Sequence, residues 1–245
     1  MAGKKQRLDQ LVYERGLAES RSRAQALILA GRVVVDDHRV DKSGTRVNSN
    51  ADIRIKGADH PYVSRGGVKL QGALEEFGLQ VGGLVALDVG ASTGGFCDCL
   101  LQHGAERIYA LDVGQGQLHN KLVGDSRVRS IEGQNVRELR ADALLEKVDL
   151  AVMDLSFISL RLALPKVLPH LKPGGRILAL VKPQFEVGKG RVGKGGIVRD
   201  EKLREEAVDA IAEFAKSLGL KVEGRARSCL EGADGNVEYF LLMRF

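Results

Sequence analysis

Four charged residues stand where their apolar surroundings disfavour charge. Asp154 follows the run Asp149-Leu-Ala-Val-Met153, and Lys182 follows Ile177-Leu-Ala-Leu-Val181 and precedes Pro183. Glu238 lies in Val237-Glu-Tyr-Phe-Leu-Leu242, where a carboxylate is costly unless it is paired or at a sheet edge. Lys69 lies in Arg65-Gly-Gly-Val-Lys69, expected just upstream of a helix that leads into a sheet. Charges at the C-terminal ends of parallel strands look into the crevice where open α/β sheets bind ligands. Two lysines and two acids there can form one proton-handling cluster. A neutral lysine is a base, a charged one stabilises a developing alkoxide, and carboxylates orient both. Spacing alone leaves equal room for a structural Asp154–Lys182 ion pair, a solvated edge strand around Glu238 and an exposed helix face at Lys69.

A second feature is Leu84–Phe96, LVALDVGASTGGF, an apolar strand running into a glycine-rich turn and then a helix. Glycines there let a ligand approach the backbone, and the helix start offers free N–H groups. The turn lacks the G-x-G-x-x-G of dinucleotide sites, which argues against a nicotinamide-dependent reductase. An acid at the strand end, Asp88, suits a cationic ligand such as a sulfonium. Asp112, ending Ile108-Tyr-Ala-Leu-Asp112, is placed to accept from ribose hydroxyls.

These residues need a scaffold, and the chain after residue 65 alternates apolar strands with helices. Strands are expected at 84–89, 107–112, 128–131, 149–154 and 176–181, and helices at 94–102, 160–171 and 201–218. That alternation predicts a parallel α/β sheet. Strands at 221–227 and 237–244 would add an antiparallel hairpin. Val187–Val198, with five glycines and several basic residues, reads as a long mobile loop of functional type. Residues 1–60 read as a separate small α+β unit: helices from Arg7 to Arg15 and after Ser20, then strands at Val33–Val35 and Asp52–Lys56. A short linker runs from Gly57 to Ser64, so the fold expected is a parallel α/β sheet domain over 65–245 behind a small N-terminal domain.

The 245 residues are 44% hydrophobic and 28% charged, the composition of a globular chain. No apolar run approaches membrane-spanning length, and the N-terminus has no secretory pattern. Three cysteines, Cys97, Cys99 and Cys229, cannot make a disulfide framework, which points to a reducing cytoplasm. Five scattered histidines suggest no metal site. Net charge is +5, and residues 1–60 carry 12 Lys and Arg against 8 Asp and Glu. The basic excess is concentrated in the small domain, as expected for a nucleic-acid partner.

The motifs SRGGVKL (64–70), DVGASTGGF (88–96), MDLSFISL (153–160), VKPQFE (181–186) and NVEYF (236–240) carry a specific resemblance. The chain resembles the TlyA (hemolysin A) family of RNA 2′-O-methyltransferases; residues 65–245 resemble its FtsJ-like domain, which implies a class I (Rossmann-like) methyltransferase sheet. The resemblance implies that Lys69, Asp154, Lys182 and Glu238 are the family's catalytic tetrad and that S-adenosylmethionine is the methyl donor. It implies a cofactor set of Asp88, Gly90, Ala91, Ser92, Gly94 and Gly95 around the methionine part, Asp112 at the ribose and Asn135 at the adenine. Residues 1–60 resemble the small RNA-binding domain of the ribosomal protein called S-four, which implies RNA contacts from Arg7, Arg21, Arg23 and Arg32, with Arg65 beside them. The implied substrate is a cytidine ribose in small-subunit ribosomal RNA, or also in the large subunit. The competing reading is a non-catalytic RNA-binding or ribosome-assembly protein on a vestigial methyltransferase fold. A pore-former would need a membrane-competent segment, and the sequence contains none.

Overall fold

Short β-branched and leucine-rich runs become strands, and amphipathic stretches between them become helices. The computed structural model describes all residues except 1–4, 19, 56–59, 189 and 233–234. It divides into two units, Met1–Pro61 and Tyr62–Phe245.

The first unit comprises β1 (Lys5–Arg7), α1 (Leu8–Glu14), α2 (Arg21–Leu29), β2 (Val33–Val35), β3 (His38–Val40), β4 (Arg46–Asn48) and β5 (Ile53–Ile55). Ser20 caps α2 by accepting from Arg23 N–H at 3.1 Å. β2 pairs antiparallel with β3 and β5, and β1 pairs antiparallel with β4. The sequence signals neither β1, β3 nor β4, which are three-residue strands set by pairing. Leu8, Leu11, Val12, Ala24, Ile28 and Val33 form the core. Lys56, expected to end the last strand, and residues 57–59 of the expected linker lie outside the described residues.

The second unit begins with α3 (Arg65–Glu76), followed by β6 (Val85–Val89), α4 (Gly95–Gln102), β7 (Arg107–Leu111), α5 (Asn120–Val123), β8 (Val128–Ile131) and β9 (Val148–Met153). It continues through α6 (Leu160–Val167), β10 (Leu171–Val181), α7 (Pro183–Glu186), α8 (Glu201–Ser217), β11 (Lys221–Arg227) and β12 (Tyr239–Arg244). The sheet order is β11-β12-β10-β9-β6-β7-β8. The pairings among β10, β9, β6, β7 and β8 are parallel, whereas β12 runs antiparallel between β10 and β11. Side chains alternate across it: Ala86 joins the layer that includes Leu70 and Leu100 from α3 and α4, while Val85, Leu87 and Val89 join the layer with Leu164 and Ile211 from α6 and α8.

Three expectations are corrected. Lys69 lies within α3, not upstream of a helix. Gly66 and Gly67 disguise this helix, but a Cβ at Gly67 would run into the Tyr62 ring, so the glycine serves close approach. The helix expected to reach Leu171 ends at Val167, because Pro169 cannot continue it; a single 3₁₀ turn leads into β10. Glu238 is not on an edge strand: it immediately precedes β12, an internal strand, and is buried. Both ends of the loop expected over 187–198 are held. Val187 and Val198 are buried with Ala207, and Asn236 accepts from Val198 N–H at 3.0 Å and donates to the Gly196 carbonyl at 2.9 Å.

Candidate active site and cofactor cleft

Strands β6, β7, β8 and β9 end at one level, and β10 runs two residues farther. Val89 pairs with both Leu111 and Met153, so Gly90, Asp112 and Asp154 emerge side by side. Lys182 follows the last residue of β10. Tyr239 of β12 pairs with Val181, so Glu238 stands opposite Lys182, one step beyond the last register pair.

The four expected catalytic side chains form two ion pairs. Lys69 Nζ donates to Glu238 Oε2 at 2.5 Å, with side-chain exposures of 10% and 3%. Lys182 Nζ lies 2.6 Å from Asp154 Oδ1, off the hydrogen-bond direction, and donates to Ser156 Oγ at 2.9 Å. A buried ion pair is at best a modest source of stability, because desolvation offsets the attraction. The buried Lys69–Glu238 pair, with the half-buried Lys182–Asp154 pair near it at the cleft, therefore calls for a chemical reason.

Two hollows meet at this point. A cleft of about 550 Å³ is lined by Gly90, Ser92, Asp112, Asn135, Asp154 and Phe157, among others. A smaller pocket of about 230 Å³ is lined by Arg65, Lys69, Ala91, Gly95 and Phe96 and shares Gly90, Ser92 and Asp154 with the cleft. Gly90 has φ +91°, and a Cβ there would lie 2.5 Å from the Asp154 carbonyl oxygen. Ser92, although not a glycine, also sits in the left-handed region at φ +48°. Such backbone cost is typical of a ligand-shaped turn.

The larger cleft has room for a nucleoside-sized ligand. Asp112 accepts from Ser92 N–H at 2.8 Å and Gly114 N–H at 2.7 Å, which fixes its carboxylate at the cleft wall. Each of its oxygens keeps a lone pair for a ribose hydroxyl. Asn135 lines the cleft, but its side-chain oxygen caps a 3₁₀ turn by accepting from Arg137 N–H at 3.0 Å, leaving its NH₂ as donor.

Asp88 and Gly94 line neither hollow. Asp88 shares the sheet face of Ala86, so its side chain points under the glycine turn toward α4. There its Oδ2 accepts from the Cys97 thiol at 3.0 Å, while Oδ1 is buried without a hydrogen-bond partner. Burial pushes its carboxyl up to about 7; the Cys97 hydrogen bond opposes the rise and the Asp154 and Asp112 charges add to it. Direct contact with a cofactor amino group, expected of Asp88, is not open to a fully buried carboxyl. Gly94 serves instead as the left-handed N-cap of α4.

Sequence reasoning missed Ser156, the hydrogen-bond partner of Lys182, and Phe157. Phe157 is 92% exposed at φ +63° and stacks obliquely on Phe185, with centroids 5.2 Å apart. Both lie in the MDLSFISL motif, where only the strand-end acid had been singled out. Among the described residues no group of three His, Cys, Asp or Glu side chains could hold a metal, and no helix is long and apolar enough to cross a membrane.

Of the expected RNA-binding residues, Arg65 opens α3 at the smaller pocket and donates to the Glu231 carbonyl at 3.1 Å. In the first unit, Arg23 is exposed on α2 and Arg32 is half-buried before β2. Arg7 and Arg21 converge on the buried Asp9.

The profile of the FtsJ-like methyltransferases matches residues 62–245, and that of the S4 domain matches residues 6–53. The chain is 46% identical, over 97% of its length and 89% of the relative's, to the 16S/23S rRNA (cytidine-2'-O)-methyltransferase TlyA of Mycobacterium tuberculosis. It is 42% identical to Hemolysin A of Brachyspira hyodysenteriae, covering 95% of this chain and 97% of that one. A solved structure from Streptococcus thermophilus, described as a candidate hemolysin, superposes with a TM-score of 0.78 at 42% identity, covering 98% of this chain and 88% of that one.

Proposed function

From the premise that the chain belongs to the FtsJ-like methyltransferase family and carries an S4 domain, we propose that it methylates a ribose 2′-oxygen in ribosomal RNA. The donor is S-adenosylmethionine, the nucleotide a cytidine, and the working compartment the cytoplasm. Similarity to a named rRNA methyltransferase over nearly the whole chain supports an enzyme and sets aside a vestigial, non-catalytic fold.

One observation carries the reading: the cofactor-sized cleft and the smaller pocket share Asp154, at whose side stands Lys182, while Lys69 lines the pocket. When bound, S-adenosylmethionine supplies an already activated sulfonium methyl. Asp112 would hold the ribose hydroxyls of the donor, and the Gly90–Ser92 turn its methionine part. The chain's task at the acceptor is to place a weakly acidic hydroxyl and manage its proton.

Lys182 is the central group. Its Nζ is held between the Asp154 carboxylate, as an ion pair, and Ser156 Oγ, as a hydrogen-bond acceptor. As an amine it takes the 2′-hydroxyl proton; as an ammonium it stabilises the forming alkoxide. Lys69, fixed by Glu238, presents a second nitrogen from α3 on the pocket side. Small-subunit RNA is the first target to test, with the large subunit beside it.

The test is transfer of radiolabelled methyl from S-adenosylmethionine to free rRNA, isolated subunits and intact ribosomes, beside Lys182→Ala. Label recovered in an alkali-resistant dinucleotide and lost in Lys182→Ala is the expected result, with donor affinity retained by calorimetry. Normal turnover by Lys182→Ala, or label confined to bases, would refute the assignment.

A further inference from the structure

The first unit buries one carboxylate among arginines, and nothing in methyl transfer uses it. Asp9 is 0% exposed in the first turn of α1. Its Oδ1 accepts from Arg7 Nε at 3.0 Å and from Gln10 N–H at 3.0 Å. Its Oδ2 accepts from Arg7 Nη2 at 3.1 Å, Arg21 Nε at 3.1 Å and Gln25 Nε2 at 2.8 Å. The Arg7 guanidinium above all holds this carboxyl far below the usual carboxylate range.

Both arginines are half-exposed, at 44% and 51%. Each turns one edge of its guanidinium inward to Asp9. That leaves Arg7 Nη1 and both Arg21 Nη groups without a hydrogen bond among the described residues. We infer that Asp9 is a positioning residue that holds Arg7 and Arg21 as a preformed, two-guanidinium clamp for phosphodiesters of a folded RNA.

Energetics favour this over a purely structural role. Replacing a buried ionic cluster with apolar residues is often neutral or stabilising, so a buried carboxylate is poorly explained by stability. Arginine side chains are costly to order, and an anchor that orders them beforehand removes that cost at binding. A guanidinium can hold Asp9 with one edge and a phosphate with the other; a lysine ammonium, a point charge, cannot span both. The inference rests on the RNA-binding reading of the S4 domain.

Simple charge counting and positioning give opposite signs, which makes the test sharp. Asp9→Asn adds one positive charge and frees both arginines, so charge alone predicts tighter RNA binding. Positioning predicts weaker binding, by about 2- to 12-fold for each arginine released, or roughly 4- to 140-fold for the pair. Filter binding of the full-length protein to purified total rRNA, between about 50 and 200 mM salt, measures this. Asp9→Asn is expected to weaken binding and to flatten the salt dependence by about one to two phosphate contacts. Turnover at saturating rRNA is expected to stay unchanged.

Arg21→Lys keeps the charge at a half-exposed position, and so tests the clamp even if Asp9→Asn disturbs folding. It too is expected to lose affinity, and the Asp9→Asn, Arg21→Lys double variant should lose less than the sum of the singles. Tighter or unchanged binding in Asp9→Asn, full affinity in Arg21→Lys, or additive losses would each overturn the clamp. A wild-type chain with no affinity for rRNA would instead overturn the parent reading.

Discussion

Glu238→Gln isolates the buried pair from the rest of the site. It keeps the shape of the side chain but leaves the Lys69 ammonium, 10% exposed, beside a neutral amide instead of a carboxylate 2.5 Å away. Removing one partner of a buried pair costs about 3–5 kcal/mol, and the amide oxygen that still accepts a hydrogen bond puts this variant at the lower end. For a unit of this size each kcal/mol lowers the melting temperature by about 2–4 °C, so a fall of roughly 6–12 °C is expected. Differential scanning calorimetry of the full chain reads it. The surface pair Arg225–Asp209, with exposures of 43% and 69%, is the control. Its removal should cost under about 1 kcal/mol. Replacing both buried partners, Lys69→Met with Glu238→Met, should restore stability to within about 1 kcal/mol of wild type or better while methyl transfer stays absent. A Glu238→Gln protein melting within about 2 °C of wild type would refute the claim that the pair is electrostatically isolated, and turnover by the double methionine variant would refute its catalytic placement.

Two further outcomes follow from the turn below the cleft. The Asp88 carboxyl, at about 7 in the folded state, holds its proton through a window in which the unfolded chain has already released it. On this count stability is present below about pH 4 and is lost as pH rises through about 7, and Asp88→Asn should remove that slope, gaining roughly 2–4 kcal/mol at pH 8 but little at pH 4. Melting curves across pH 4–8 check it, and parallel curves for the two proteins would exclude an ionising Asp88. Gly90→Ala should cost about 2–4 kcal/mol from its left-handed backbone and the approach of its Cβ to the Asp154 carbonyl, and should weaken S-adenosylmethionine binding more than tenfold. Titration calorimetry with unchanged affinity would show that the turn does not shape the cleft.

Much of the scaffold was legible because it is written locally. Val128–Ile131 and Lys221–Arg227 coincide with β8 and β11, and α8 ends within a residue of its expected limit. Apolar runs bounded by glycine and charge carry that information. The strand-end positions of Asp112, Asp154 and Lys182 were legible for the same reason. The pairing of the tetrad was not, since Lys69 and Glu238 are 169 residues apart and meet only through tertiary packing. Asp88 misled because an acid at a glycine turn looks ligand-facing, whereas strand alternation sends it under the turn. Arg7 and Arg21 read as free basic residues because nothing in the sequence announces that Asp9 is buried between them. Nothing in the residue types around Phe157 marks it out, and its exposure comes with a backbone conformation that composition does not encode.

The place of β12 between β10 and β11 has a consequence for the order of events during synthesis. This strand is made after every other strand of its sheet, yet it fills an inner position and is the sole sheet partner of β11. At about 5–20 residues per second, the ribosome takes roughly 8–34 s to go from Lys69 to Glu238. Only the last part of that interval, roughly 3–11 s from Val181 to Glu238, leaves β10 as the outer strand, and its Ile177–Val181 run is then an open, apolar edge of the kind that recruits other chains. Lys69 meanwhile lacks its counter-charge. The step that seals the edge is therefore the step that brings Glu238 to Lys69, and a product halted before residue 238 has neither the sealed edge nor the buried pair.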